Sequence, residues 1–181
     1  MKICGRRFLK AFLAVTTFSA MTPTVVFAAE KITGIAEIRL GMSLDELRNV
    51  RDLEDIEGRS DHYDTGIIYT NRGKFESSIQ VVDGFVDQIY LYTTTYGNSV
   101  EKCNWYVESL EAQINQKYKP TKIKHEALKD SYGEGVSMHF IDGFGTTLIV
   151  RSEYSDRDNS GQKLCHAFIS YHGLDNEQYV F

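Results

Sequence analysis

The side chains best suited to chemistry in this sequence are five histidines, His62, His125, His139, His166 and His172, and two cysteines, Cys103 and Cys165. A zinc site read from sequence needs close His-x-x-x-His or Cys-x-x-Cys spacing, and none of these residues shows it. His166 and His172 can share one face of a strand, but six residues of strand span roughly 20 Å, too far for one ion. Asp156-Arg157-Asp158-Asn159-Ser160-Gly161 matches the start of a calcium loop, with oxygen ligands at alternate positions before a turn glycine. Ala167 stands where the closing glutamate belongs, so the segment reads as a polar hairpin loop. No Gly-x-Ser-x-Gly elbow, His-Glu-x-x-His pair or phosphate-cradling glycine loop occurs. The residues therefore point to no catalytic residue, no cofactor and no metal. Scattered Ser, His and Asp side chains can still converge in space, which keeps a hydrolytic reading open.

The cysteines acquire meaning from the elements that carry them. Val100, Cys103, Val107, Leu110 and Ile114 recur at steps of three and four, the pattern of a helix with one buried stripe. Asn98 and Glu101 offer its capping pair. Cys165 falls in a terminal strand, Lys163 to His172, sharing a face with Ala167, Ile169 and Tyr171. Both sulfurs can enter one helix-sheet interface, and in an oxidising compartment a disulfide is the expected outcome. The alternative is two buried thiols packed as small hydrophobes.

That compartment is read from the N-terminus. Lys2, Arg6, Arg7 and Lys10 precede a short apolar run from Ala11 to Val15, and Val26-Phe27-Ala28 supplies small residues at the positions signal peptidase reads. Residues 1–28 are expected to be a signal peptide and 29–181 a single domain, periplasmic or secreted. Thr16, Thr17, Ser19 and Pro23 interrupt the apolar run, which argues against a membrane span. Taking the four signal cations from 20 Lys and Arg leaves 16 against 25 Asp and Glu, a formal charge of −9. An acidic surface repels phosphate backbones, so nucleic acid is not an expected partner, whereas a basic protein is allowed.

The remaining chain alternates helix and strand signals. Ile35 to Leu40 suits a short strand, and Ser43 with Glu46 matches a capping box opening a helix that runs to about Asp52. Extended stretches follow near Thr65 to Thr70, Ser77 to Val82 and Val86 to Thr95, the last two joined at Asp83-Gly84, a strong hairpin signal. After Pro120 come strands at Thr121 to Glu126, Gly135 to Ile141 and Thr146 to Glu153, with Asp142-Gly143 turning the middle pair. The expectation is an α+β fold, an antiparallel sheet with two helices packed on one face. Asp83-Gly84-Phe85 and Asp142-Gly143-Phe144 raise a second reading, two helix-then-strands repeats, against two ordinary hairpins sharing a favoured turn.

If the helices cover the face bearing Cys165, the opposite face carries His166, Phe168, Ser170 and His172, with Tyr90 and Tyr92 from the hairpin strand. Such an aromatic surface is what protein-binding patches use, although aromatics also simply suit exposed strands. Trp105 falls about 170° around the helix from the apolar stripe and should point away from the sheet, as a binding anchor or under a covering segment.

The stretch Leu40-Gly41-Met42-Ser43-Leu44-Asp45-Glu46-Leu47 resembles the helix entry of small exported proteins with the β-lactamase inhibitory protein-like fold, a superfamily that includes outer-membrane assembly lipoproteins. Lys117-Tyr118-Lys119-Pro120 is similar to the helix exit of such repeats, with Lys119 in place of the usual glycine. The resemblance implies helices on one side of a sheet whose concave face grips another protein. It carries over neither a lipid-bearing cysteine nor any inhibitory contact residue. The expected function is that of an exported, non-enzymatic protein-binding module of inhibitor, immunity or envelope-assembly type, contacting its unidentified partner through Tyr90, Tyr92, Trp105, His166, Phe168 and His172. The competing expectation is a small periplasmic hydrolase or ligand-binding protein with a non-local site.

Overall fold

A computed structural model describes residues 29–96, 99–129, 133–155 and 164–173. The expected signal peptide and the calcium-like loop at 156–161 lie outside them. No helix among the described residues is long and apolar enough to cross a membrane.

The chain begins with a small hairpin, β1 (Gly34–Ile35) and β2 (Ile38–Arg39), leading into helix α1 (Leu44–Arg48). The capping box is formed: the Ser43 hydroxyl accepts the Glu46 N–H at 3.2 Å, and the Glu46 carboxylate accepts the Ser43 N–H at 2.9 Å. Those bonds, led by the one from the Ser43 backbone, hold the Glu46 carboxyl below its ordinary range. The helix is nonetheless only five residues long, ending well before Asp52. Leu47 is its single fully buried side chain, while Val50 is 47 % exposed, so packing does not reward another turn.

Strands β3 (Glu54–Asp55), β4 (His62–Thr70), β5 (Gly73–Val82) and β6 (Phe85–Tyr96) then form an antiparallel meander. Helix α2 (Val100–Tyr118) follows, opened by Ser99, whose hydroxyl accepts the Lys102 N–H at 3.3 Å. It closes at Lys119, which takes the left-handed conformation (φ 46°) that glycine usually supplies, with Pro120 next. A second meander completes the chain: β7 (Lys122–Lys129), β8 (Glu134–Ile141), β9 (Thr147–Ser155) and β10 (Leu164–His172).

The fold is α+β. The two meanders join through their last strands, β6 against β10, giving one antiparallel sheet in the order β3-β4-β5-β6-β10-β9-β8-β7 among the described residues. The two Asp-Gly-Phe tripeptides occupy different turns within it. Asp83 (φ 52°) and Gly84 (φ 83°) make the tight two-residue turn between β5 and β6. Asp142 instead opens a longer loop between β8 and β9, in which Gly145 carries the positive φ.

One sheet face is buried. The aligned row Ile79, Ile89, Tyr171, Leu148 and Phe140 crosses five neighbouring strands, and every member is at most 6 % exposed. Helix α2 lays Val107 and Leu110 into this core over β8, β9 and β10. Ile32, Ile38 and Leu47 join the same cluster, so the β1–β2 hairpin shares with α1 and α2 the covering that two helices were expected to give. The Cys103–Cys165 disulfide is present, with Cα atoms 5.5 Å apart, and with Tyr154 it forms a small separate core at the start of α2.

Candidate functional site

Because side chains alternate along each strand, register decides what meets on the opposite, open face. There Glu76, Tyr92, Phe168, Arg151, Ser137 and Glu126 form one row across six strands, from β5 to β7. Beside it runs a second row, Asp64, Ser78, Tyr90, Ser170, Ile149, His139 and Lys124. The parts of these rows between β6 and β7 line a trough of about 390 Å³, within the usual size range of ligand pockets.

Its aromatic wall is tightly organised. Tyr92 packs against Phe168 with ring centroids 5.1 Å apart and stacks on His166 at 5.6 Å and 17°. The Tyr92 hydroxyl lies 2.7 Å from His166 Nδ1, which Thr94 Oγ1 also approaches at 3.0 Å. Tyr90 meets His172 edge-on at 6.1 Å, and its hydroxyl donates to the Gln88 amide oxygen. Tyr90, Tyr92, His166 and Phe168 are half-buried on this face, as the alternation of their strands anticipates. His172 differs. It lies on the same face but is only 7 % exposed, with Ser170 Oγ 2.8 Å from its Nε2. Burial pushes its pKa down to about 4, against the opposing pull of Asp87. It is a wall residue beneath the surface rather than an exposed contact.

Trp105 is 64 % exposed on α2, directed away from the sheet. Since α2 covers the buried face, Trp105 and the aromatic trough lie on opposite sides of the molecule, and the structure does not bring them together.

The opposite wall holds His139, considered from the sequence only as a metal ligand, with Ser137, Glu126 and Arg151, which the sequence reading did not single out. Ser137 Oγ lies 3.0 Å from His139 Nε2, and Glu126 Oε2 lies 3.5 Å from that same nitrogen. Partial burial is the main cause of the lowered His139 pKa, with Glu126 working against it. Arg151 Nη2 sits 3.3 Å from Glu153 Oε2. A serine relay needs the nucleophile and the acid on opposite ring nitrogens, so that the acid orients the base. Here both approach Nε2, and the group forms a hydrogen-bonded wall, not a relay. Ser137 and His139 were detectable as an alternating pair on one strand, but only the strand order sets Glu126 and Arg151 beside them. Among the described residues no cluster of three or more His, Cys, Asp or Glu is placed to hold a metal ion.

No protein-family model, curated protein or solved structure matches this chain.

Proposed function

We propose that this protein is an exported, non-enzymatic binding module that recognises another protein through the open sheet face, as an inhibitor, an immunity factor or an envelope-assembly accessory. The observation that carries this reading is the mutually packed Tyr92, Phe168 and His166 array, half-exposed on a strand-built surface. Aromatic rings already fixed by one another lose little entropy on binding, which is how such side chains become interface anchors. The buried disulfide agrees with an oxidising compartment, periplasmic or extracellular. The resemblance of residues 40–47 to the β-lactamase inhibitory protein-like helix entry points the same way.

Affinity capture from the native envelope tests this reading. Tyr92→Ala and Phe168→Ala should each weaken recovery of the partner while leaving the thermal midpoint nearly unchanged. Undiminished capture by both variants, or a stability loss that accounts for weakened capture, would exclude the open face as the binding surface.

A second reading, a hydrolase or small-ligand site, is favoured by one observation, the trough lined by Ser137, His139 and Glu126. The shared Nε2 counts against hydrolysis. Ester turnover that disappears in Ser137→Ala would reverse that judgement.

A further inference from the structure

At the sheet edge beyond the aromatic trough the surface changes character. Asp52, Glu54 and Asp64 line a second depression of about 520 Å³ at the β3–β4 edge, together with Val50, Arg51 and Gly66. Glu76, paired in register with Tyr92, continues the acidic run toward the trough. Arg51 is already engaged with Glu37 at 2.6 Å. Among the described residues, none of Asp52, Glu54, Asp64 and Glu76 makes an ion pair. Lys74 is the one lysine on this flank; it shares a strand face with Glu76 two residues away but sits four residues along β5 from Ser78, the partner of Asp64. Across the trough the balance differs, because Lys124 is committed to Glu126.

From this we infer the chemistry of the partner: a protein segment that seats an apolar or aromatic side chain in the trough against Tyr92 and Phe168, and lays Lys or Arg side chains over Glu54, Asp64 and Glu76. The inference rests on the open face being the binding surface, and it adds what that surface selects. Asp64 on β4 is two strand spacings, roughly 10 Å, from Tyr92 on β6 and three from Phe168 on β10, so one short segment reaches from the carboxylates to the aromatic wall of the trough. The cations gain attraction and steering from the carboxylates, while the ring supplies buried area.

Three capped pentapeptides test it by two-dimensional NMR on the disulfide-bonded protein: Lys-Lys-Trp-Lys-Lys, Glu-Glu-Trp-Glu-Glu and Lys-Lys-Gly-Lys-Lys. The first should shift the amides of Tyr92, Phe168 and Asp64 saturably. The glycine peptide should bind more weakly, and the acidic one should leave these amides unmoved. The double variant Glu54→Gln with Asp64→Asn should weaken the first peptide roughly fivefold, an effect that fades in high salt. Equal binding of the acidic peptide would overturn the charge assignment while leaving the open face as the interface, since capture through Tyr92 and Phe168 decides that separately. Failure of every peptide to perturb either depression would also overturn the inference, again without touching the capture result.

Discussion

The Asp142 carboxylate accepts the backbone N–H of Ile32 at 2.9 Å, joining positions 110 residues apart in the chain. Its other oxygen accepts the N–H groups of Phe144 and Thr146 at 2.8 and 2.9 Å. One buried side chain thus shapes the β8–β9 loop and ties the first described segment to it, seating Ile32 in the core. Removing it leaves three donors without their acceptor, and buried donors are costly to strand. Asp142→Ala should lower stability by about 3 kcal/mol in urea denaturation, and Asp142→Asn by less, since the amide keeps one acceptor oxygen. A change under 0.5 kcal/mol for the alanine variant would show that water replaces the carboxylate.

The Cys103–Cys165 bond closes a loop with a sequence separation of 62. In the chain-entropy account, such a crosslink contributes about 4 kcal/mol by restricting the unfolded state. Replacing both cysteines with serine should lower the urea midpoint correspondingly. The protein mass should also rise by two hydrogens on reduction under denaturing conditions, which checks the bond independently.

His172 gives the fold a pH dependence whose sign follows from its lowered pKa. Between pH 6.5 and about 4 the unfolded chain holds a proton on this residue that the folded chain does not. Its contribution is therefore fully present above pH 6.5 and lost as pH falls toward 4, a change on the order of 3 kcal/mol. His172→Gln should show a smaller drop in thermal midpoint than the wild type between pH 7 and pH 5. Parallel curves for the two proteins would refute the assignment.

Gly135 of β8 lies against the backbone of β9, and a Cβ there would stand 2.0 Å from the Ser152 carbonyl oxygen. The neighbouring Val136 N–H bonds the Ser152 hydroxyl at 3.1 Å, and that hydroxyl donates to Asn104 of α2 at 2.8 Å. Gly135→Ala must push the strands apart and disturb this link, at a cost of about 2 kcal/mol in chemical denaturation. A silent substitution would mean that β8 shifts without penalty.

Trp105→Ala removes a side chain that is 64 % exposed on the side of the molecule away from the trough. Stability should change by less than about 0.5 kcal/mol. Partner capture through the open face should also be unaffected, so a strong loss would move the interface to α2.

Much of the fold was legible because it rests on local chemistry. The Ser43 capping box, the Asp83-Gly84 turn, the buried stripe of α2 and the alternation of β5, β6 and β10 are properties of short segments. The early end of α1 was not legible, because only the packing of Leu47 and the exposure of Val50 decide it. Asn98 had been expected to begin the second helix; Ser99 is its cap, a difference of one position that depends on backbone conformation.

The site divides in the same way. Alternation set Tyr90 and Tyr92 on one side of β6, and His166, Phe168 and His172 on one side of β10, each opposite the apolar residues of its strand, because strand periodicity fixes sidedness. It could not say that His172 is buried, since depth depends on what the neighbouring strands contribute. Nor could it bring Ser137, His139 and Glu126 to the opposite wall, because that requires β7 and β8 to lie beyond β9 in the sheet. The sequence by itself determined which residues share a side of each strand and which cysteines can pair, since both follow from local periodicity. The tertiary structure alone decided which strands are neighbours, and therefore that aromatic, acidic and histidine-bearing segments meet on one surface, because strand order is set by long-range burial that no short stretch of chain encodes.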